Sequence, residues 1–251
     1  MLEWIHMLIR NTALLIFALL SASALAENKP KYGHEATLLR KSHEYIEKHT
    51  APDFWAMMPY YTAQQTGSAC SVASVSMVIN AARASQNLTA DDELATQNNV
   101  LKKTADEEWT KAVGDKGGGR TLDQLGVEVE KAFKAYGFGN AKVDVIHVDD
   151  LSTASREKIH SALVENEKTA KDFIIANFIQ GVYTGDADVG HIAPVAAFDT
   201  KTKRVLILDP DRDWYEPYWV PEDTFIKGMN TQDKLGGGGK FRGLVWVHTG
   251  Q

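Results

Sequence analysis

The chain has 251 residues and a formal net charge of −6, with 44% of the residues hydrophobic and 24% charged. These proportions are typical of a globular protein with one large or two small domains. Acidic and basic residues are interspersed, which argues against a nucleic-acid-binding protein. The single cysteine excludes an internal disulfide and any zinc or iron–sulfur site built on several cysteines. We expect no resident metal ion and no cofactor.

The N-terminal residues have the pattern of a secretory signal peptide. Arg10 precedes an apolar stretch over 12–20, and small residues over 21–26 end in an Ala-x-Ala pattern. The apolar stretch is too short for a membrane span. We predict cleavage after Ala26, which gives a signal peptide at 1–26 and a catalytic domain at 27–251. The mature protein is then exported to the periplasm and does not bind the membrane.

The first half of the mature chain is predicted to be mainly helical. Residues 27–50 form an extended or helical arm, and 51–69 form an aromatic-rich loop because Pro52 and Pro59 punctuate it. A helix runs from Cys70 to about Arg83. After the polar stretch 86–119, Thr121 fits the N-cap of a helix that ends near Tyr136.

The second half is predicted to be mainly strands. A strand over 142–148 and a helix over 155–168 come first. The continuous apolar run 173–179 is typical of a central strand. The strands 191–198, 204–209 and 243–248 follow. Helices first and antiparallel strands later favour an α+β fold, with a nucleophile-bearing helix packed on the sheet as in papain-like proteins.

Cys70 lies in the segment Gln64–Ser74, where small and turn-forming residues precede an apolar run with helical spacing. A thiol at the start of a helix is favoured as a thiolate, because backbone N–H groups and the helix dipole stabilise the negative charge. Free cysteines are also among the most buried residues, so an inert structural role stays open from this segment alone.

A histidine and an aspartate are predicted at the open end of one hairpin. His191 begins the first strand and Asp209 ends the second, with the turn at 199–203. Their even separation places both side chains on one face of the sheet, opposite or diagonal, and directly paired residues have Cβ atoms about 5 Å apart. The carboxylate then holds one ring nitrogen while the other faces the thiol. A cysteine with a distant His and Asp is typical of thiol acyl-transfer enzymes.

The oxyanion of such a reaction needs hydrogen-bond donors. The backbone N–H of Cys70 is one candidate, and the side-chain amide of Gln64 is a second. From spacing alone, Gln64 is equally well a surface loop residue.

Several segments, in the same order, resemble the phytochelatin synthase family, especially its short bacterial members. The resemblance extends from about Asp53 to Val247. The matching segments are Phe54–Ser74, Gly119–Gly126, Gly190–Val195, Leu206–Arg212 with its continuation Tyr215–Pro221, and Arg242–Val247.

The resemblance implies a papain-like fold and glutathione as the substrate. Cys70 would attack the Cys–Gly bond, release glycine and carry a γ-glutamylcysteinyl thioester. Water then gives γ-glutamylcysteine, and a second glutathione gives phytochelatin. We expect mainly hydrolysis, as in the short members. Metal ions, as in a heavy-metal response, are expected to act through a metal–glutathione thiolate.

The same resemblance implies the substrate contacts. Arg242 and Asp233 would hold the γ-glutamyl head group, since an arginine fork suits its carboxylate and an aspartate suits its ammonium. Arg212, Gly190 and Asn177 complete the expected substrate-binding set. The expected partners are glutathione and a second copy of the chain in a homodimer, with no nucleic acid.

The chain departs from the family pattern at several positions. Ser71 replaces a glycine, Gln180 stands where many members have arginine, Ala193 replaces a serine and Pro210 follows Asp209. Residues 234–240 resemble a glycine-rich insertion. These changes leave Cys70, His191 and Asp209 in place and bear on the second-substrate site.

Two other functions stay open. A leader-cleaving cysteine peptidase would pair a similar Gln-to-Cys segment with a late His and Asp-Pro, although such domains are normally cytosolic and the predicted signal peptide argues against this function. A non-enzymatic exported protein would use Cys70 to bind a thiol or metal, although one cysteine makes a poor soft-metal site.

Overall fold

The computed structural model describes residues 30–235 and 238–250, so the predicted signal peptide and its cleavage site lie outside the described residues. The described residues from Tyr32 onward form one compact unit, and of the first 31 residues only Pro30 and Lys31 are described. No helix in this described part of the chain is long and apolar enough to cross a membrane.

A seven-stranded sheet forms the middle of the unit, and each strand pair in it is antiparallel. The strand order across the sheet is β1-β6-β5-β4-β3-β7-β2. The strands are β1 (Thr37–Leu38), β2 (Lys142–His147), β3 (Asp172–Ile179), β4 (Gly190–Asp199), β5 (Arg204–Ile207), β6 (Tyr218–Pro221) and β7 (Gly243–His248).

Helices cover both faces of the sheet. They are α1 (Glu44–Lys48), α2 (Pro52–Met57), α3 (Cys70–Ala82), α4 (Gln97–Thr104), α5 (Glu107–Ala112), α6 (Leu122–Ala135), α7 (Thr153–Asn166), α8 (Gln180–Thr184) and α9 (Glu222–Met229). Short 3-10 turns lie at Leu39–Lys41, Met58–Tyr60 and Arg83–Ser85.

The side chains of β3 alternate between two apolar clusters. Phe173 and Ile175 pack with α3 and α6 on one face, whereas Ile174 and Phe178 pack with α7 and α9 on the other. This alternation explains the continuous apolar sequence of β3, which lies between β4 and β7 and is buried on both sides. The predicted α+β arrangement, with a cysteine-bearing helix on an antiparallel sheet, is present.

The helix predicted after Thr121 begins where expected. The Thr121 hydroxyl accepts the backbone N–H of Gln124, and the Gln124 side chain accepts the backbone N–H of Thr121. This reciprocal capping box satisfies two of the N–H groups that a helix start leaves unpaired.

The prediction of a loop over 51–69 was wrong for its first part. Residues 52–57 form α2, with Pro52 in its first turn, where a missing N–H costs nothing. The prolines there begin helical turns rather than interrupt them.

Residues 86–119, a polar stretch for which no helix is predicted, contain two helices. Thr96 caps α4 and Asp106 caps α5, each by accepting a backbone N–H of the first turn. The sequence patterns also do not predict α8, β6 or α9.

Candidate active site

Cys70 is the first residue of α3, as predicted. Cys70 is 7% exposed. Ala69 is the N-cap residue, and its side chain makes no hydrogen bond to the N–H groups of the first turn. The free N–H groups of the first turn and the positive end of the helix dipole lie at the Cys70 end of the helix, where they favour negative charge. The Ser74 hydroxyl lies within donating distance of two carbonyls, that of Cys70 at 2.7 Å and that of Ile192 at 3.2 Å. Ser74 therefore links the start of α3 to the strand that carries His191.

Gln64 is held next to the Asp209 loop by hydrogen bonds of its backbone and its neighbours. Its N–H donates to the Pro210 carbonyl at 2.8 Å. Gln97, from α4, accepts the N–H of Gln65 at 3.1 Å and donates to the Ala63 carbonyl at 2.8 Å. The Gln64 side-chain oxygen is buried without a hydrogen-bond partner among the described residues. Gln97 is a positioning residue that sequence reasoning missed, because its helix was not predicted.

His191 contacts both predicted partners. Its Nε2 lies 2.7 Å from Asp209 Oδ1, which leaves Nδ1 for the thiol of Cys70. Burial lowers the pKa of His191, but the charge and hydrogen bond of Asp209, with the contact to Cys70, outweigh burial and hold the pKa well above its usual range. The arrangement therefore favours an imidazolium next to the sulfur.

Asp209 is completely buried and accepts four hydrogen bonds on its carboxylate. Besides His191, Oδ1 accepts the N–H of Asp211 at 2.9 Å. Oδ2 accepts Gln180 Nε2 at 3.1 Å and the Tyr218 hydroxyl at 3.0 Å. Burial would raise the pKa of Asp209, yet His191 and these donors hold it below its usual range. The carboxylate is thus kept ionised.

The hairpin differs in detail from the prediction. β5 ends at Ile207, so Asp209 lies in the following loop rather than at the strand end. The register between β4 and β5 shifts between Val195 and Ala197. Such a bulge adds one residue on one strand, and the side chain of Asp209 contacts His191 from the loop after β5.

Arg242 and Asp233, predicted to bind substrate, are paired with each other. Arg242 Nη2 lies 3.3 Å from Asp233 Oδ1, and Nη1 donates to the Gln232 carbonyl at 2.6 Å. Burial lowers the pKa of Arg242, while Asp233 opposes this effect. Arg242 Nε is buried with no hydrogen-bond partner in the described residues. A Cβ on Gly190 would lie 3.0 Å from Arg242 Nη2, so this guanidinium is adjacent to the residue before His191.

The other two predicted substrate contacts have different surroundings. The Arg212 guanidinium stacks 4.2 Å from the ring centroid of Tyr61, and the Tyr61 hydroxyl donates to the Asp209 carbonyl at 2.7 Å. Asn177 is 2% exposed in β3 and pairs with Ile192 of β4 and Gly243 of β7. Arg212 therefore borders the Asp209 loop, and Asn177 lies on the strand next to His191.

A cavity of about 290 Å3 adjoins Asp233. One wall is the start of α6, where Asp123 accepts Lys240 Nζ at 2.6 Å and contacts His147 Nε2 at 2.9 Å. The Ser68 hydroxyl donates to the carbonyl of Gly117, which places the following residue, Gly118, near the loop that contains Ser68. A Cβ on Gly118 would contact Leu235 at the rim of the cavity. The described residues contain no cluster of three or more His, Cys, Asp or Glu suited to a metal ion.

These observations define a class: an α+β protein in which a buried helix-start cysteine contacts a histidine held by an aspartate. The family model described as phytochelatin synthase matches residues 31–244. Because this match covers most of the sequence, the chain belongs to the phytochelatin synthase family.

Two curated relatives are plant proteins. Glutathione gamma-glutamylcysteinyltransferase 1 of Arabidopsis thaliana is 24% identical over 219 residues, which cover 81% of this chain and 39% of the relative. The protein of the same name from Lotus japonicus is 24% identical over 214 residues, covering 81% of this chain and 37% of the relative. The chain thus spans about two fifths of the length of these relatives.

Proposed function

We propose that this protein is a papain-like thiol acyl-transfer enzyme that cleaves the Cys–Gly bond of glutathione through a thioester on Cys70. The observation that carries the proposal is the continuous contact from Cys70 through His191 to Asp209. Family membership and the printed names of the relatives support glutathione as the substrate.

In the first half-reaction the Cys70 thiolate attacks the carbonyl carbon of the Cys–Gly amide. The negative charge that develops on the carbonyl oxygen is stabilised by the Cys70 backbone N–H and the Gln64 side-chain amide. The C–N bond then breaks, and His191 gives its proton to the departing amine of glycine. The γ-glutamylcysteinyl group remains on sulfur as a thioester.

In the second half-reaction His191, now neutral, removes a proton from the attacking nucleophile. Attack by water breaks the thioester and gives γ-glutamylcysteine, and attack by the amine of a second glutathione gives phytochelatin. Either outcome returns the proton to the His191–Cys70 pair. We propose that hydrolysis predominates.

We further propose that Arg242 binds the α-carboxylate of the γ-glutamyl group and Asp233 its ammonium. The unpartnered Nε of Arg242 and its proximity to Gly190 support an anion at this position. Arg212, Gly190 and Asn177 complete this set. Any metal ion enters as part of a metal–glutathione thiolate.

An exported location is also proposed, with residues 1–26 as a signal peptide and 27–251 as the catalytic domain, in a homodimer. N-terminal sequencing of the protein from the periplasmic fraction is expected to begin at Glu27. A sequence that begins at Met1 in that fraction would contradict cleavage.

Incubation with glutathione tests the proposed reaction. From the wild-type protein we expect one free glycine for each acyl group transferred, so that glycine equals γ-glutamylcysteine and the smaller amount of transfer product taken together. Cys70→Ala and His191→Ala are expected to release no glycine above the buffer rate. Wild-type protein that releases no glycine, with or without added Zn²⁺, would overturn the proposal.

A further inference from the structure

Gln180, the first residue of α8, is buried against the carboxylate of Asp209. Its residue is 1% exposed, and its Nε2 lies 3.1 Å from Asp209 Oδ2 and 3.3 Å from the Tyr218 hydroxyl. Because the amide carries two hydrogens, it can donate to both oxygens. The Tyr218 hydroxyl donates its own hydrogen to Asp209 Oδ2 at 3.0 Å. The three groups form a closed triangle of satisfied hydrogen bonds.

The triangle fixes the rotation of the carboxylate. With Oδ2 held by Gln180 and Tyr218, Oδ1 is directed toward His191 Nε2 and the N–H of Asp211. The backbone N–H of Gln180 donates to the Val189 carbonyl at 2.9 Å, which anchors Gln180 to the chain just before His191.

The donors on Oδ2 are also neutral. Among the described residues, the cation in hydrogen-bond contact with the Asp209 carboxylate is His191 alone. The ionisable groups around it are Cys70 on α3, His191 on β4, Tyr218 on β6, Tyr61, which contacts the Asp209 carbonyl, Arg212, which stacks on Tyr61, and Tyr32 and Tyr215 nearby. The negative charge of Asp209 is therefore directed mainly at the imidazolium.

We propose that Gln180 is a positioning residue for the reaction, which orients Asp209 toward His191 without a positive charge that would compete for the carboxylate. This inference rests on the proposed function for its role in turnover, but its effect on the Cys70–His191 pair does not depend on the substrate. A cation at position 180 would share Asp209 and favour neutral His191.

The rate of alkylation of Cys70 by iodoacetate reports on the Cys70–His191 pair and requires no glutathione. Cys70 is the only cysteine in the sequence, so the modification is at one site. The rate falls at high pH, when His191 loses the proton whose charge attracts the anionic reagent. The upper limb of this profile therefore reports His191.

Gln180→Met keeps the length of the side chain and removes its donor. We expect the maximum alkylation rate and kcat for glycine release to fall on the order of tenfold, with KM within about twofold, because the carboxylate loses its orientation. Gln86→Met is the matched control, since Gln86 donates to the Tyr136 carbonyl away from Asp209 and should leave both rates unchanged.

Gln180→Arg tests the charge. We expect the upper limb of the alkylation profile to move to lower pH by about one unit, because the guanidinium competes for Asp209. Circular dichroism establishes that each variant is folded, and if the arginine variant is not, Gln180→Met alone decides.

The outcomes separate the two proposals. Folded variants with wild-type alkylation profiles would overturn the role of Gln180, whether or not the wild type releases glycine. Shifted profiles in a protein that releases no glycine would support the role of Gln180 and overturn the proposed function.

Discussion

At the scale of single residues, the charge of the site depends on Asp209. The carboxylate is fully buried and is stabilised by four donors, of which His191 carries the proton that the proposed reaction uses. Removing one buried partner of such a network leaves the others with unsatisfied groups. Replacing one partner at a time therefore distinguishes the effect of the charged donor from the effects of the neutral donors.

Asp209→Asn removes the charge and keeps the shape of the side chain. We expect glycine release to fall at least about a hundredfold, because the imidazolium loses the anion that stabilises it and its tautomer is no longer fixed. The pKa of His191 falls with the loss of this charge, so the upper limb of the iodoacetate profile moves to lower pH. Asp213→Asn, at an exposed position two residues beyond Asp211, is the control. An upper limb at the wild-type pH in Asp209→Asn would contradict the assigned contact.

At the scale of elements, α4 holds the loop before the nucleophile. Gln97 bonds the backbone on both sides of Gln64 and is 4% exposed. This helix contributes no group to the proposed chemistry, but it holds the loop that carries Gln64, the proposed second oxyanion donor.

Gln97→Leu is expected to reduce kcat about tenfold or more with little change in KM, since a displaced Gln64 no longer faces the oxyanion. The substitution also removes two part-buried hydrogen bonds to the backbone, which should lower the free energy of unfolding by about 1–3 kcal/mol. Steady-state kinetics and urea unfolding measure the two effects, and Gln86→Leu serves as the control. A destabilised variant with wild-type kcat would show that the loop position does not depend on Gln97.

At the scale of the whole molecule, a buried polar pair joins helices from the two faces of the sheet. Asn166, at the end of α7, donates to Asp53 of α2, and both Oδ1 atoms are buried without partners in the described residues. A proton on Asp53 Oδ1 can satisfy both oxygens by donating to Asn166 Oδ1. Burial, followed by the charges of Glu167 and Asp172, raises the pKa of Asp53 well above its usual range, which favours this proton.

The contribution of Asp53 to stability should therefore fall as the pH rises. A folded state that keeps a proton which the unfolded chain has lost is favoured at low pH, and it loses this advantage as the pH approaches the raised pKa. Asp53→Asn, which can form the same two hydrogen bonds without a titrating group, should lose less stability between pH 5 and pH 8 than the wild type. Thermal unfolding at both pH values measures the difference. Burial also raises the pKa of Glu167 to about 7, but this group is common to both proteins. Equal pH dependence in the two proteins would contradict a protonated Asp53.

Features that have a local sequence signal were predictable, whereas features that depend on contacts between distant segments were not. The helix at Cys70, the capped helix after Thr121 and the central strand β3 each follow from local periodicity or capping, and the structure has all three. The His191–Asp209 contact was predictable because a short turn brings the two strand ends together.

The missing features depend on tertiary contacts. The sequence alone does not place Pro52 in a helix, because a proline has the same local signal at a helix start and in a turn. The bulge near Val195 and the hydrogen bonds of Gln180, Tyr218 and Gln97 join segments far apart in sequence. No single segment carries a signal for such contacts.

The central claim is that Cys70 carries the acyl group, and intact-mass spectrometry after brief exposure to glutathione and an acid quench tests it directly. A γ-glutamylcysteinyl group on Cys70 is predicted in the wild type and absent in both Cys70→Ala and His191→Ala. A wild-type protein that stays unmodified at every quench time while glycine accumulates, or an adduct in Cys70→Ala, would contradict the account.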